Sequence, residues 1–221
     1  GLVNGLFLSS GVDRDEDLTM EKTIETIRIL RKVYGYDDYI HLKIVPGASK
    51  DSIKRAMALA NRVSINIEAA TPSGLAELSS TKDYNKDILK RLHWIDSLHG
   101  KSTTYPNSTH TTQLIVGANG ESDKEILERM EKIYKKSDLK RTYFSAFTPI
   151  EETEFSKKKA CSTDRTTKLY NADSLLNDYK NIEIKRNPHQ KIDEVSPFRP
   201  HEQGTHRIPV LVGGCPTIQR T

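Results

Sequence analysis

Apolar positions along this chain follow two spacings in turn. The runs GLFLSSG, YIHLKIVPG, RVSINIEAA, TTQLIVGANG and RTYFSAFTP are continuous or alternating in hydrophobicity and stop at small or polar residues. Each gives way to a stretch whose apolar residues stand three or four apart. The first spacing belongs to strands and the second to helices. Strands joined by helical crossovers lie parallel, and their carboxyl ends converge on one face, where such folds hold ligands. The expected class is therefore α/β, and the strand ends are where function should be read.

Leu6, Phe7 and Leu8 begin the series and run into the turn Ser9, Ser10, Gly11. A helix is predicted over 20–34, with Thr19 as its N-cap, Ile24, Ile27, Leu30 and Val33 on one face and Gly35 as its stop signal. The second strand covers 39–45 and ends at Pro46 and Gly47, and Ser49 caps the next helix. The third strand, 62–68, precedes a long helical stretch over 72–98 that breaks near Thr81. Residues 99–110 read as a polar loop, which makes His110 a loop histidine. Strands over 111–116 and 141–147 flank a helix capped by Ser122. After Pro149 the alternation stops: one helix is expected over 164–179, and the last 40 residues read as extended or poorly ordered. The division is a barrel-type unit at 1–150 and an extension at 151–221.

Composition narrows this little. Hydrophobic residues make up 35% and charged residues 29% of the 221, and no apolar run approaches the roughly 20 residues that span a bilayer. A cytoplasmic protein is expected. The net charge of +4 is dispersed among mixed-sign helices, which permits a nucleic-acid partner without arguing for one. Cys161 and Cys215 stand far apart and indicate neither a disulfide framework nor a zinc site. Gly1 is not an initiator methionine, and a buried-type strand starts almost at once, so a fragment is expected.

Several strand-end residues carry candidate chemistry. Ser9, Ser10 and Gly11 offer main-chain groups at a turn, to a ligand or simply to a tight connection. His41 and Lys43 share one face of the second strand, where Lys43 serves as a salt-bridge partner, a cofactor clamp or a Schiff-base former. Ser64, Asn66 and Glu68 alternate with Val63, Ile65 and Ile67, so that a polar row points into the barrel, toward a ligand or a hydrogen-bond network. Gln113, Ile115 and Gly117 form the matching row on the fourth strand, followed by Asn119 and Glu121, and Ser145 lies at the end of the fifth.

In this order the stretches GLFLSSGV, YIHLKIVPGAS, RVSINIEAAT, HTTQLIVGANGESD and KRTYFSAFTPI resemble radical S-adenosylmethionine (SAM) enzymes, nearest to those grouped under DNA modification or repair. The resemblance spans 5–150 and implies a partial (β/α)6 TIM-type barrel that lacks its first βα unit. It implies that Ser9, Ser10 and Gly11 hold the methionyl amino group, and that Ser64, Asn66 and Glu68 contact the ribose or the methionyl carboxylate. The segment 113–121 stands at the GxIxGxxE motif beside adenine, with Gln113 in place of the first glycine and Glu121 one position late, and 144–147 lie at the adenine edge. The stretch KLYNADSLL resembles a post-barrel helix, and RIPVLVGG faintly resembles the turn of a DNA-binding hairpin.

The CxxxCxxC loop that binds a 4Fe-4S cluster in that family is absent, and Cys161 and Cys215 do not replace three closely spaced thiolates. The expectation is a fragment of an enzyme of SAM-dependent radical chemistry on nucleic acid, inactive as it stands. Two alternatives remain: a barrel lyase or aldolase using Lys43, and a non-catalytic module whose basic C-terminal segment grips nucleic acid.

Overall fold

The computed structural model describes residues 4–99 and 108–178. The strands are β1 (Gly5–Leu8), β2 (Tyr39–Lys43), β3 (Arg62–Ser64), β4 (Thr109–Val116) and β5 (Arg141–Ala146), all parallel and in the spatial order β1-β2-β3-β4-β5. A sheet that never reverses its order winds every crossover onto the same face. The helices α1 (Glu16–Lys32), α2 (Lys50–Met57), α3 (Pro72–Leu78), α4 (Lys90–Leu98) and α5 (Asp123–Tyr134) are those crossovers. The sheet curls into a half-barrel with an outer helical layer and a concave inner face.

The core lies between sheet and helices. Ile40, Leu42, Val63, Leu114 and Val116 point outward from the strands and meet Ile24, Ile27, Ile53, Ile95, Ile126 and Met130. Each fully buried branched side chain contributes about 1.5–3 kcal/mol relative to an exposed one. At the amino ends of the strands, buried Arg31 of α1 donates to the carbonyls of Leu59, Tyr36 and Asp38 and to Asn61 Oδ1. Asn61 Oδ1 also accepts from the Ile40 amide, so one guanidinium organises the entry to β2 and β3.

Helix starts follow their caps, with one shift. The predicted N-cap of α1, Thr19, is buried inside the helix, where its hydroxyl donates to the Asp15 carbonyl at 2.8 Å and accepts from the Asp13 amide. Asp15 takes the capping role, accepting from Leu18 N at 2.7 Å, and Glu16 and Asp17 complement the helix dipole in the first turn. Ser49, Thr71 and Ser122 cap α2, α3 and α5, the last in a full capping box with Glu125. The long stretch after β3 is broken as expected, into α3, a π-helical segment Tyr84–Leu89 capped by Asp83, and α4. Arg91 of α4 donates to the carbonyls of Gly47 and Ala48 and so ties that segment to the end of β2.

His110 is not a loop residue. It lies in β4, fully buried on the helix side, with Nε2 3.0 Å from Asp96 Oδ1 and 3.1 Å from Ser137 Oγ. The strand expected from Thr111 starts two residues earlier, at Thr109, and its outward His110 finds polar partners on α4 and after α5.

Beyond β5, helix α6 (Thr163–Asp178) covers the open edge of the sheet. The Tyr170 hydroxyl accepts from Phe144 N at 2.9 Å and lies 3.3 Å from Phe144 O, supplying the unpaired main chain of an edge strand with a partner. Asp173, 4% exposed, accepts the one Tyr134 hydroxyl proton between its two oxygens, and that hydroxyl also meets Thr142 Oγ1 at 2.9 Å. The tail from 179, with the hairpin-like RIPVLVGG, lies outside the described residues, as does Cys215.

Candidate functional site

Strand register decides which side chains share the concave face. His41 pairs with Arg62 and Arg62 with Thr109; Lys43 pairs with Ser64, Ser64 with Thr111 and Thr111 with Arg141. Gln113 pairs with Tyr143 and Ile115 with Ser145. The inner face thus carries two rows of mostly polar residues, and the carboxyl ends of the strands form a rim above them.

At the rim, β3 departs from regular pairing. Ser64 pairs with Thr111, yet Glu68 bridges Leu114, so β3 spends one residue more than β4 over the same interval. This is a β-bulge. Buried Thr112 repairs it, because its hydroxyl donates to Ile65 O at 2.7 Å and accepts from Ile67 N at 3.1 Å. The chain then re-enters the sheet at Glu68, whose amide donates to Gln113 O and whose carbonyl accepts from Ile115 N. Glu68 pays for this with a φ of +60°, left-handed backbone that a residue bearing a Cβ seldom adopts. Strain of that kind collects where a side chain must be aimed.

Glu68 is near enough to act on the charge of Lys43. Burial pushes the Lys43 ammonium below its ordinary pKa and Glu68 opposes that shift, while Lys82 adds to it. His41, two residues earlier, is pushed down to about 4, chiefly by burial and then by the charges of Arg62 and Lys43, which leaves it neutral near pH 7. Its Nε2 and the Oγ1 of Thr111, both buried, have no hydrogen-bond partner among the described residues.

The other rim residues fall into two groups. Ser9, Ser10 and Gly11, expected as a turn, follow β1 as exposed irregular chain, with open space around Gly11, and Ser9 succeeds the last β1–β2 pair, Leu8 with Leu42. Ser64 and Asn66 are buried beneath Glu68, 5% and 6% exposed, while Gln113, Ile115 and Ser145 line the β4–β5 side. Gly117 has φ +86°, and the space a Cβ would take is filled by Cys161 and Arg165. Its amide donates to Glu121 Oε1 at 2.5 Å, and Arg165 donates to Glu121 O and Asp123 Oδ1. Glu121 therefore braces the turn after β4. Cys161 N, which donates to Phe147 O, anchors the segment entering α6 over that turn.

Arg62, Tyr39, Arg141 and Tyr143 escaped the sequence reading, which looked only at strand ends. Their signal was period-two alternation toward the strand starts. Arg62 stacks on Tyr39 at 5.7 Å, and Arg141 lies 5.2 Å from Tyr143 and 5.5 Å from Tyr170.

No protein-family profile matches the chain, and a comparison with curated proteins returns no match. Among solved structures, the chain is similar to a domain of pyruvate-formate lyase-activating enzyme from Bacteroides vulgatus, with a TM-score of 0.52 over 78% of this chain and 94% of that one, at 12% identity. The likeness establishes the fold class, a parallel half-barrel of the TIM type. Among the described residues no helix is long and apolar enough to cross a membrane, and no group of three or more His, Cys, Asp and Glu is arranged to hold a metal ion.

Proposed function

We propose that this half-barrel binds SAM at the carboxyl rim of its strands as part of a radical SAM enzyme that modifies or repairs nucleic acid. Three things support the reading: the ordered strand-end resemblance, the fold shared with a domain of an activating enzyme counted among radical SAM proteins, and the build of the rim. The observation that carries it is Glu68. A carboxylate carried on strained backbone, fixed at both main-chain groups on β4 and close enough to act on the Lys43 charge, is a costly way to fill space and an effective way to position an acceptor.

SAM presents an ammonium, a carboxylate, a ribose diol and an adenine. Main-chain carbonyls and hydroxyls of the exposed segment Ser9, Ser10, Gly11 suit the ammonium, and Lys43 suits the carboxylate. Glu68 and Asn66 suit the ribose hydroxyls. Ile115, Gly117 and Ser145 would border the adenine, although Cys161 and Arg165 occupy the immediate approach to Gly117.

In radical SAM enzymes a 4Fe-4S cluster supplies the electron that cleaves SAM. The two cysteines of this sequence do not fit that cluster, which takes three thiolates from the protein. The proposal is accordingly that this chain by itself binds SAM and leaves it intact.

Replacing Glu68 with glycine tests the reading, because strain and binding respond in opposite directions. Glycine relieves the left-handed backbone and should raise stability by about 1 kcal/mol. SAM affinity, read by isothermal titration calorimetry, should fall about tenfold or more as a charge-assisted contact is lost. A variant that binds SAM like the parent, or a parent that binds none, refutes the proposal.

A second reading draws on Lys43, whose lowered pKa suits a Schiff-base nucleophile. Borohydride trapping of an aldehyde or ketone substrate on Lys43 would favour it; absence of trapping alongside SAM binding removes it.

A further inference from the structure

The concave face below the rim has its own chemistry. Arg62 and Arg141 stand on β3 and β5 with Thr109 and Thr111 of β4 between them, and each guanidinium lies over a tyrosine of its own neighbourhood. The Tyr39 phenol is held above its ordinary pKa chiefly by burial, against the Arg62 charge, and Tyr143 adds to the shift. By register the two arginines hold inner-face positions on either side of β4.

Neither arginine forms a salt bridge among the described residues, and the one hydrogen bond of Arg62 there runs from Nε to Thr109 Oγ1 at 2.9 Å. Stacking uses the face of a guanidinium and leaves its in-plane N–H groups free, the arrangement that grips a phosphate bidentately. Lys43 adds a third cation to the same face; Glu68 acts on Lys43 and Asp173 on Arg141. Two of the buried polar atoms without a partner among the described residues, Thr111 Oγ1 and His41 Nε2, belong to neighbouring positions of this face on β4 and β2, and each is able to donate to an oxyanion.

We propose that this inner face binds the phosphate of a nucleotide, with Arg62 and Arg141 as the anion-holding pair and Tyr39 and Tyr143 beside the base. A charge of this size favours a phosphate over a carboxylate, and the rings favour a phosphate that carries a planar group. The site is argued without reference to SAM; taken with the preceding reading, it names the substrate class of the same barrel.

Calorimetric titration of the full chain tests this with adenosine, adenosine 5′-monophosphate and a short single-stranded DNA. The nucleotide should bind and the nucleoside should not, and inorganic phosphate should compete. The double variant Arg62→Gln/Arg141→Gln should lose about tenfold or more in affinity; Arg62→Lys/Arg141→Lys, which keeps the charge but not the fork, should lose part of it. Tighter binding of the oligonucleotide with a steeper salt dependence assigns the phosphate to a strand, and equal binding assigns it to a free nucleotide. Equal affinity for nucleoside and nucleotide, no binding of any probe, or undiminished binding by either double variant overturns the proposal. SAM titrated into the same variants should bind as in the parent; failure of SAM alone removes the rim reading and leaves this one standing.

Discussion

Asp173 offers a stability test that runs against the usual behaviour of carboxylates. Burial between α5, α6 and β5 lifts its pKa from 3.8 to about 6, and the Tyr134 hydroxyl and the Arg141 charge only partly counter that effect. A raised folded-state pKa means that the native protein binds a proton the unfolded chain has released. The contribution is therefore fully present below pH 3.8 and is lost as pH rises through about 6. Roughly two pKa units correspond to about 3 kcal/mol. Asp173→Asn keeps an oxygen for Tyr134 and removes the titration. Urea unfolding followed by circular dichroism at pH 4, 5, 6 and 7 should show the variant gaining about 2.4 kcal/mol on the parent across that range, most of the whole effect. Taking the difference cancels the remaining carboxylates, including Asp17, whose hydrogen bonds to Ser49 and Ser52 lower its pKa despite the opposing effect of burial. A difference constant to within about 0.5 kcal/mol, or one that shrinks with rising pH, would refute the reasoning.

Thr112→Val preserves shape but leaves Ile65 O and Ile67 N unpaired in the bulge, and should cost about 2–4 kcal/mol by denaturant titration while also weakening SAM binding through Glu68. Arg31→Met strands the acceptors of Leu59, Tyr36, Asp38 and Asn61 and should cost about 3 kcal/mol in the same assay. Tyr170→Phe uncovers the main chain of Phe144 at the sheet edge; a loss of about 1 kcal/mol in thermal melts is expected, with concentration-dependent association on size-exclusion chromatography.

The alternation of spacing made all five strands and their parallel order legible, because outward residues such as Ile40, Leu42 and Leu114 must meet helices. What escaped was tertiary. Thr109 and His110 look like loop composition, and only Asp96 and Ser137, distant in sequence, make them strand. The extra residue in β3 cannot be read from RVSINIEAA, since alternation continues through it; the bulge exists because Thr112 of another strand can bridge it. A glycine at 117 suggests close approach to the backbone, and in the structure it is Cys161, from beyond the barrel, that makes it. The polar row Ser64, Asn66, Glu68 was visible by spacing alone, whereas its counterpart of Arg62, Arg141 and their tyrosines needed the register between strands.

The central claim, that SAM sits on the carboxyl rim, is tested most directly by titrating SAM into the 15N-labelled chain and following amide shifts. Saturable shifts concentrated at Ser9, Ser10, Gly11, Asn66, Glu68, Gly117 and Ser145, with Ile27 and Ile126 of the outer helices unmoved, are the predicted result. No saturable shift, or shifts confined to the helical layer, would contradict it.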